Sequence, residues 1–298
     1  MTEERHIHRS GICQAGKWGE GLIDLLGDIC KRFWAIAFVL GCLSSVTLNA
    51  EDRFDVAVRP PLGPVDGVLV LCPGMNGDGS HFLAEKPWMD FADQHNLGVI
   101  ALKFSSDSEL MYGPERQGYY WPEQGSGDAL LQAIEENFGV DQNIVIYGFS
   151  GGAHFTSRFV EWVPERVLVW SAYSAQFWDS PKSNDKSPPG IVACGEFDGG
   201  RWFPSYAYFY EGREMGKPWT WVSIAETGHF RKGPFEKFVR EYFGAVLSGK
   251  HEKEWPVFID IDTEEQATGS YSDFTQPELL TWLPTEDFVA KWRQVHHP

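Results

Sequence analysis

The sequence predicts an α/β fold, with a mostly parallel central sheet and helices on both faces. Two observations carry this. Apolar runs at 67–71 and 97–102 lack polar alternation, as strands buried on both faces do. Between such runs the spacing turns helical: Phe82, Trp88, Phe91 and Ala92 share one face, and Ala129, Leu130, Ala133, Ile134 and Phe138 share another. Parallel strands need crossover connections, and alternating strand and helix patterns supply them. At 298 residues, 43% hydrophobic and 15% aromatic, the chain has enough apolar surface for one full core.

Residues 1–50 read as an N-terminal extension and signal peptide. Lys31-Arg32 abuts the apolar run 33–40, and Leu48-Asn49-Ala50 precedes Glu51. A basic step, an apolar core and a small-residue end are the layout of an export signal, here cleaved after Ala50, which predicts a secreted or periplasmic protein. The first 30 residues are longer than the basic region of such a signal requires. The apolar stretch 33–48 contains Ser44, Ser45 and Thr47 and falls short of the ~20 apolar residues of a spanning helix, so a permanent membrane anchor is the alternative. Val39-Leu40-Gly41-Cys42 resembles a bacterial lipobox, and a lipidated Cys42 is a further alternative, making the chain a lipoprotein.

Residues 51–248 form the main domain. Its first strand, 54–58, alternates apolar and polar, and later strands are expected at 143–147, 167–170, 191–194 and 219–224. Residues 249–298 are a tail in which the rhythm stops. It has a short apolar run at 257–261 and two expected short helices, one after the capping-box spacing Thr275-Gln276-Pro277-Glu278 and one after Thr285, where Glu286 and Asp287 suit a helix N-terminus. Trp282, Phe288 and Trp292 would pack the tail on the domain.

A net charge of −17 excludes nucleic acid and anionic membrane surfaces as electrostatic partners, because phosphates would repel the chain. Five scattered cysteines are too few for a disulfide framework. His6, His8, His296 and His297 lack further ligands around them, so no metal is expected.

The pentapeptide Gly148-Phe149-Ser150-Gly151-Gly152 follows one strand run and precedes a helical pattern. A serine on a tight strand-to-helix turn needs side-chain-free neighbours where the chain crosses itself. With the acid and histidine that follow it in order, this layout resembles the α/β-hydrolase superfamily, and more narrowly its secreted esterases and polyester-depolymerase-like serine hydrolases, over roughly residues 54–248.

The resemblance implies a triad in the chain order nucleophile, acid, histidine. Ser150 matches the nucleophile. The strand at 191–194 leads to Asp198 as the acid, with Glu196 as the alternative, and the strand at 219–224 leads to His229. A neutral imidazole must take the serine proton, and a buried carboxylate must hold the ring in the right tautomer. The Gly-rich loop 73–79 matches the oxyanion-hole position, with the Met75 and Gly151 N–H groups as donors. The usual histidine there is replaced by Pro73. The resemblance places Cys72 and Cys194 at the ends of strands separated by two others, about 14 Å at ~4.8 Å per strand, too far for a disulfide. His154 and His81 read as packing and helix-start residues.

The activity implied is carboxylic-ester hydrolysis through an acyl-enzyme, without cofactor. The rivals are a serine peptidase of the same fold and a catalytically silent polysaccharide-binding relative. Segment 174–189, where the family often carries a lid, is short, polar and Pro-rich, which points to an open site for a small-molecule or polymeric ester. Tyr120, Trp121, Trp178 and Trp202, together with Tyr112, Tyr119 and Phe203, are candidates for an aromatic acyl or sugar subsite. Arg201 is a candidate for a substrate carboxylate, with an ion pair as the competing role.

Overall fold

The computed structural model describes residues 52–297, apart from 62, 184–185, 250, 252–256, 268 and 270. The expected export signal, the membrane-anchor alternative and the lipidated Cys42 lie outside the described residues. Seven strands, β1 (Arg53–Arg59), β2 (Gly67–Cys72), β3 (Leu97–Ser105), β4 (Ile144–Phe149), β5 (Val167–Tyr173), β6 (Gly190–Gly195) and β7 (Trp219–Ile224), form one sheet in the order β1-β3-β2-β4-β5-β6-β7. β1 runs antiparallel to β3, and every other pairing is parallel. Every residue of β2, β6 and β7 is buried, while β1 at the edge is only half-buried, which is why β2 reads as an unbroken apolar run and β1 alternates.

Helices α1 (Lys86–Gln94), α2 (Ser108–Tyr112), α3 (Ser126–Phe138), α4 (Gly151–Trp162), α5 (Gly199–Glu214) and α6 (Gly233–Leu247) fill the connections. Successive residues of a strand point to opposite faces, and β4 shows what covers each. The Tyr147 ring lies 4.9 Å from that of Trp88 in α1, and its hydroxyl donates to Glu236 of α6 at 2.9 Å. A side chain on the next residue, Gly148, would run into Gly152 and Thr156 of α4. Helices therefore lie on both faces, with α1 and α6 sharing one and α4 on the other.

The tail departs from the sequence expectation. Its described residues hold one α-helix, α7 (Phe288–Val295), and a three-stranded antiparallel sheet of β8 (Val257–Asp260), β9 (Gln266–Ala267) and β10 (Leu280–Leu283). The capping-box segment leads into a single 3₁₀ turn, Pro277–Leu279, and then into β10. Tertiary pairing overrides the local signal: β10 is buried throughout, and the Thr281 hydroxyl accepts the Trp221 N–H of β7 at 2.7 Å. Trp282, Phe288 and Trp292 are buried, and the Trp292 indole N–H donates to the Trp221 carbonyl at 2.7 Å.

Candidate active site

Ser150 sits between β4 and α4 at φ 54° and ψ −113°, a conformation that costs a non-glycine residue energy and turns its side chain out of the sheet edge. Its N–H is held by the Tyr173 carbonyl of β5 at 2.8 Å. A side chain on Gly151 would lie 2.5 Å from the Met75 amide nitrogen, and one on Gly152 would lie 2.5 Å from the Pro73 carbonyl oxygen. The 73–79 loop thus rests directly on the N-terminus of α4, and only glycine fits beneath it.

Three loops bring the triad candidates together. Asp198 follows β6 at the first position before α5, with 4% of its surface exposed. Its Oδ2 lies 2.6 Å from His229 Nδ1, and Arg201 donates to its Oδ1 at 3.1 Å. His229 Nε2 lies 2.8 Å from Ser150 Oγ. The Phe149 ring stacks on the imidazole at 5.2 Å. Burial pushes the neighbouring Cys194 thiol up to about 11, so beside Asp198 it stays protonated.

Glu196, the alternative acid, is turned away from His229. Its Oε2 accepts the Glu226 N–H at 2.9 Å and its Oε1 lies 3.6 Å from His297 Nδ1. The reason is its position on the sheet edge: its own N–H still bonds the Ile224 carbonyl, so the chain turns toward His229 only two residues later, at Asp198.

The loop beside Gly151 is fixed by Asn76, a left-handed residue at φ 54°. Its side-chain amide donates to the Ser106 carbonyl at 3.0 Å and accepts the Ser106 N–H at 3.1 Å, while its own N–H donates to the Tyr119 hydroxyl at 3.2 Å. Among the described residues no hydrogen bond uses the Met75 or the Gly151 N–H.

The other candidates are largely engaged in packing. Tyr120 is buried against His154, ring to ring at 4.6 Å. Trp178 stacks on Tyr208 at 4.4 Å and donates to Ser205, and Trp202 stacks on Tyr206 at 5.5 Å and donates to Ser223. Trp121 has the guanidinium groups of Arg158 and Arg116 over its ring at 4.0 and 5.2 Å, on the wall of a cavity of about 410 Å³ that none of Ser150, Asp198 and His229 lines. Arg201 takes the ion-pair role. His154 is buried, its Nε2 accepting the Gln176 N–H at 3.1 Å, and burial, aided by Arg158, holds its pKa well below the ordinary range. Cys72 and Cys194 are free thiols on β2 and β6, with β4 and β5 between them.

Sequence reasoning missed Tyr173 and Arg231. The Tyr173 hydroxyl donates to the Phe230 carbonyl at 2.6 Å, so one residue holds both the Ser150 N–H and the residue after His229. Arg231 donates to Glu85 at 2.7 and 2.6 Å and to Glu236 at 2.5 and 2.9 Å. The periodicity reading ended β5 at Trp170, three residues before Tyr173. Arg231 carried no local signal beyond its distance of two residues from His229.

A solved phospholipase/carboxylesterase from Dyadobacter fermentans superposes with a TM-score of 0.51 at 14% identity, covering 66% of this chain and 98% of that one. The chain has the α/β-hydrolase fold. A poly(3-hydroxybutyrate) depolymerase from Bordetella parapertussis is similar over 68% of this chain and 86% of its own, at 16% identity and TM-score 0.46. An S-formylglutathione hydrolase from Staphylococcus aureus is similar over 66% and 97%, at 13% identity and TM-score 0.48. No protein-family model and no curated protein matches the sequence. Met75, Ser150, Asp198 and His229 all follow the C-terminal ends of parallel strands, β2, β4, β6 and β7, the end of such a sheet at which ligands bind. Among the described residues no group of three or more His, Cys, Asp or Glu side chains forms a metal-binding cluster.

Proposed function

We propose that this α/β hydrolase is a serine hydrolase that cleaves carboxylic esters through an acyl-enzyme. The observation that carries the reading is the continuous relay from Ser150 Oγ through His229 to buried Asp198, with steps of 2.8 and 2.6 Å. His229 takes the Ser150 proton at Nε2 as Oγ attacks the ester carbonyl. Asp198 keeps Nδ1 protonated and stabilises the imidazolium. The oxyanion is held by the Met75 and Gly151 N–H groups, a preorganised pair for which each donor is worth roughly 10²–10³ in turnover. His229 then returns the proton to the departing alkoxide. Water, deprotonated by the same imidazole, releases the acid and restores Ser150.

A fluorophosphonate probe tests this. It should label the wild-type chain and leave Ser150→Ala unlabelled, and the wild type should show a burst with a chromogenic ester. Labelling of both proteins, or of neither, overturns the reading; cleavage of aminoacyl arylamides without ester turnover would favour the peptidase. Export to the cell surface or beyond belongs to the same proposal and is supported by the 31–50 sequence. The N-terminal sequence of protein recovered from the medium or periplasm checks it.

A further inference from the structure

We propose that Met75, Tyr112 and Phe177 wall an acyl subsite, so that the preferred ester carries an extended apolar acyl chain rather than a charged or acetyl-sized one. This rests on the ester-hydrolase reading above. The Met75 N–H is the proposed oxyanion donor and its backbone touches the Gly151 position, so its side chain stands at the mouth of the site. There it is 47% exposed, as Tyr112 is at 50%. The two meet, Tyr112 hydroxyl to Met75 sulfur, at 3.3 Å. The Tyr112 ring then packs on Phe177 at 5.6 Å, and Phe177 rests on His154 at 4.1 Å. His154 lies one helical turn past Ser150, and its bond from the Gln176 N–H ties this segment to α4. The three side chains therefore make an arc that starts on the oxyanion loop and returns to the helix, with Ser150 at its foot.

Large apolar groups left half in water beside a reactive serine gain free energy when a chain covers them. The side of the site follows from the chemistry. His229 must protonate the leaving alkoxide, so the alcohol portion lies toward the His229 loop, while the acyl chain leaves the carbonyl in the other direction. The ring contacts of Tyr112 and Phe177 go to each other, Tyr120 and His154. Arg158, behind Phe177, is buried and paired to Asp179, so the arc presents carbon and sulfur.

The test is a series of p-nitrophenyl esters, in which the leaving group is constant and the acyl chain grows from acetyl to octanoyl. Tyr112→Ala should lower kcat/KM for octanoate roughly tenfold and change acetate less than about twofold, as expected for removing one ring from an apolar pocket. Phe177→Ala should act in the same direction, and Tyr112→Phe, which keeps the ring and loses only the hydroxyl contact to Met75, should retain a higher octanoate-to-acetate ratio than Tyr112→Ala. Tyr112 is half exposed, so its variants should fold, and fluorophosphonate labelling of Ser150 verifies the active fraction. Equal losses across the acyl series, or a preference that changes only when the alcohol is varied at constant acetyl, overturn the subsite and leave the hydrolase reading standing. A wild-type chain that does not label at Ser150 overturns both.

Discussion

Arg231→Ala should be the most damaging single change outside the triad candidates, because it strands two carboxylates. Glu236 is 7% exposed and accepts from both Arg231 and Tyr147; Glu85 lies on the other side of the guanidinium. Removing one partner of a buried pair typically costs 3–5 kcal/mol, much of it the penalty of the charge left behind. The Arg231 and Glu85 side chains are 24% and 30% exposed. Water therefore relieves part of the penalty, which sets the loss at the lower end, about 3 kcal/mol. Urea unfolding measures it. Turnover per fluorophosphonate-titrated site should also fall, because Arg231 fixes the segment that carries His229. A loss below about 1 kcal/mol would show that the two carboxylates are not effectively buried. A full stability loss with unchanged turnover per titrated site would show that the network does not hold the histidine.

Asp198→Asn should lower kcat by roughly 10³–10⁴, since the imidazole then loses its tautomer control, while Glu196→Gln should stay within severalfold; steady-state kinetics showing the reverse would reassign the acid. Tyr173→Phe removes only the hydroxyl that holds the Phe230 carbonyl, so kcat should drop with KM nearly unchanged at a stability cost of about 1–2 kcal/mol, and an unaltered kcat would refute the coupling. Stability should change little between pH 7 and 8 and fall on acidification. Burial, with Arg158 nearby, holds His154 well below its ordinary range, and burial, with His297 nearby, holds His296 down to about 3. Below about pH 6.5 the unfolded chain takes up protons that these folded histidines refuse, at a slope approaching 1.4 kcal/mol per pH unit for each. Thermal melts from pH 8 to 5 check the sign, and a melting temperature that rises with acid would contradict it.

The parts of the fold legible in the sequence are those with a local cause. β2 and β3 announce themselves because both faces are covered, and the elbow glycines are required by contacts within a few residues of Ser150 or with the adjoining loop. The tail sheet was not legible. Thr275-Gln276-Pro277-Glu278 satisfies a helix-start pattern, yet Leu280-Thr281-Trp282-Leu283 gains more by packing on β7, a choice made about 60 residues away in sequence. The aromatic residues show the same limit. Trp178 and Trp202 look identical to subsite residues in one dimension, and only their partners, Tyr208 and Tyr206, distinguish packing from exposure.

The His229 loop explains why several unmatched residues matter. It has no repeating backbone pattern to hold it, and Glu226 within it adopts a left-handed φ of 49°. Its geometry must therefore come from outside, and five parts of the fold supply it. Tyr173 of β5 holds Phe230, and Arg231 clamps to Glu85 and Glu236. Glu196 at the end of β6 accepts the Glu226 N–H, and the tail extends the β7 edge through Ile224 and His296 just before the loop begins. Glu196 thus acts on the same histidine that it was a candidate to orient, but through the backbone and not through the ring. The tail belongs to the same arrangement, since His297 faces Glu196 from the opposite side and its N–H bonds the Ser223 carbonyl at 2.8 Å. A relay with steps of 2.8 and 2.6 Å tolerates little drift, and the proposed chemistry at Ser150 accordingly draws on residues from Glu85 to His297.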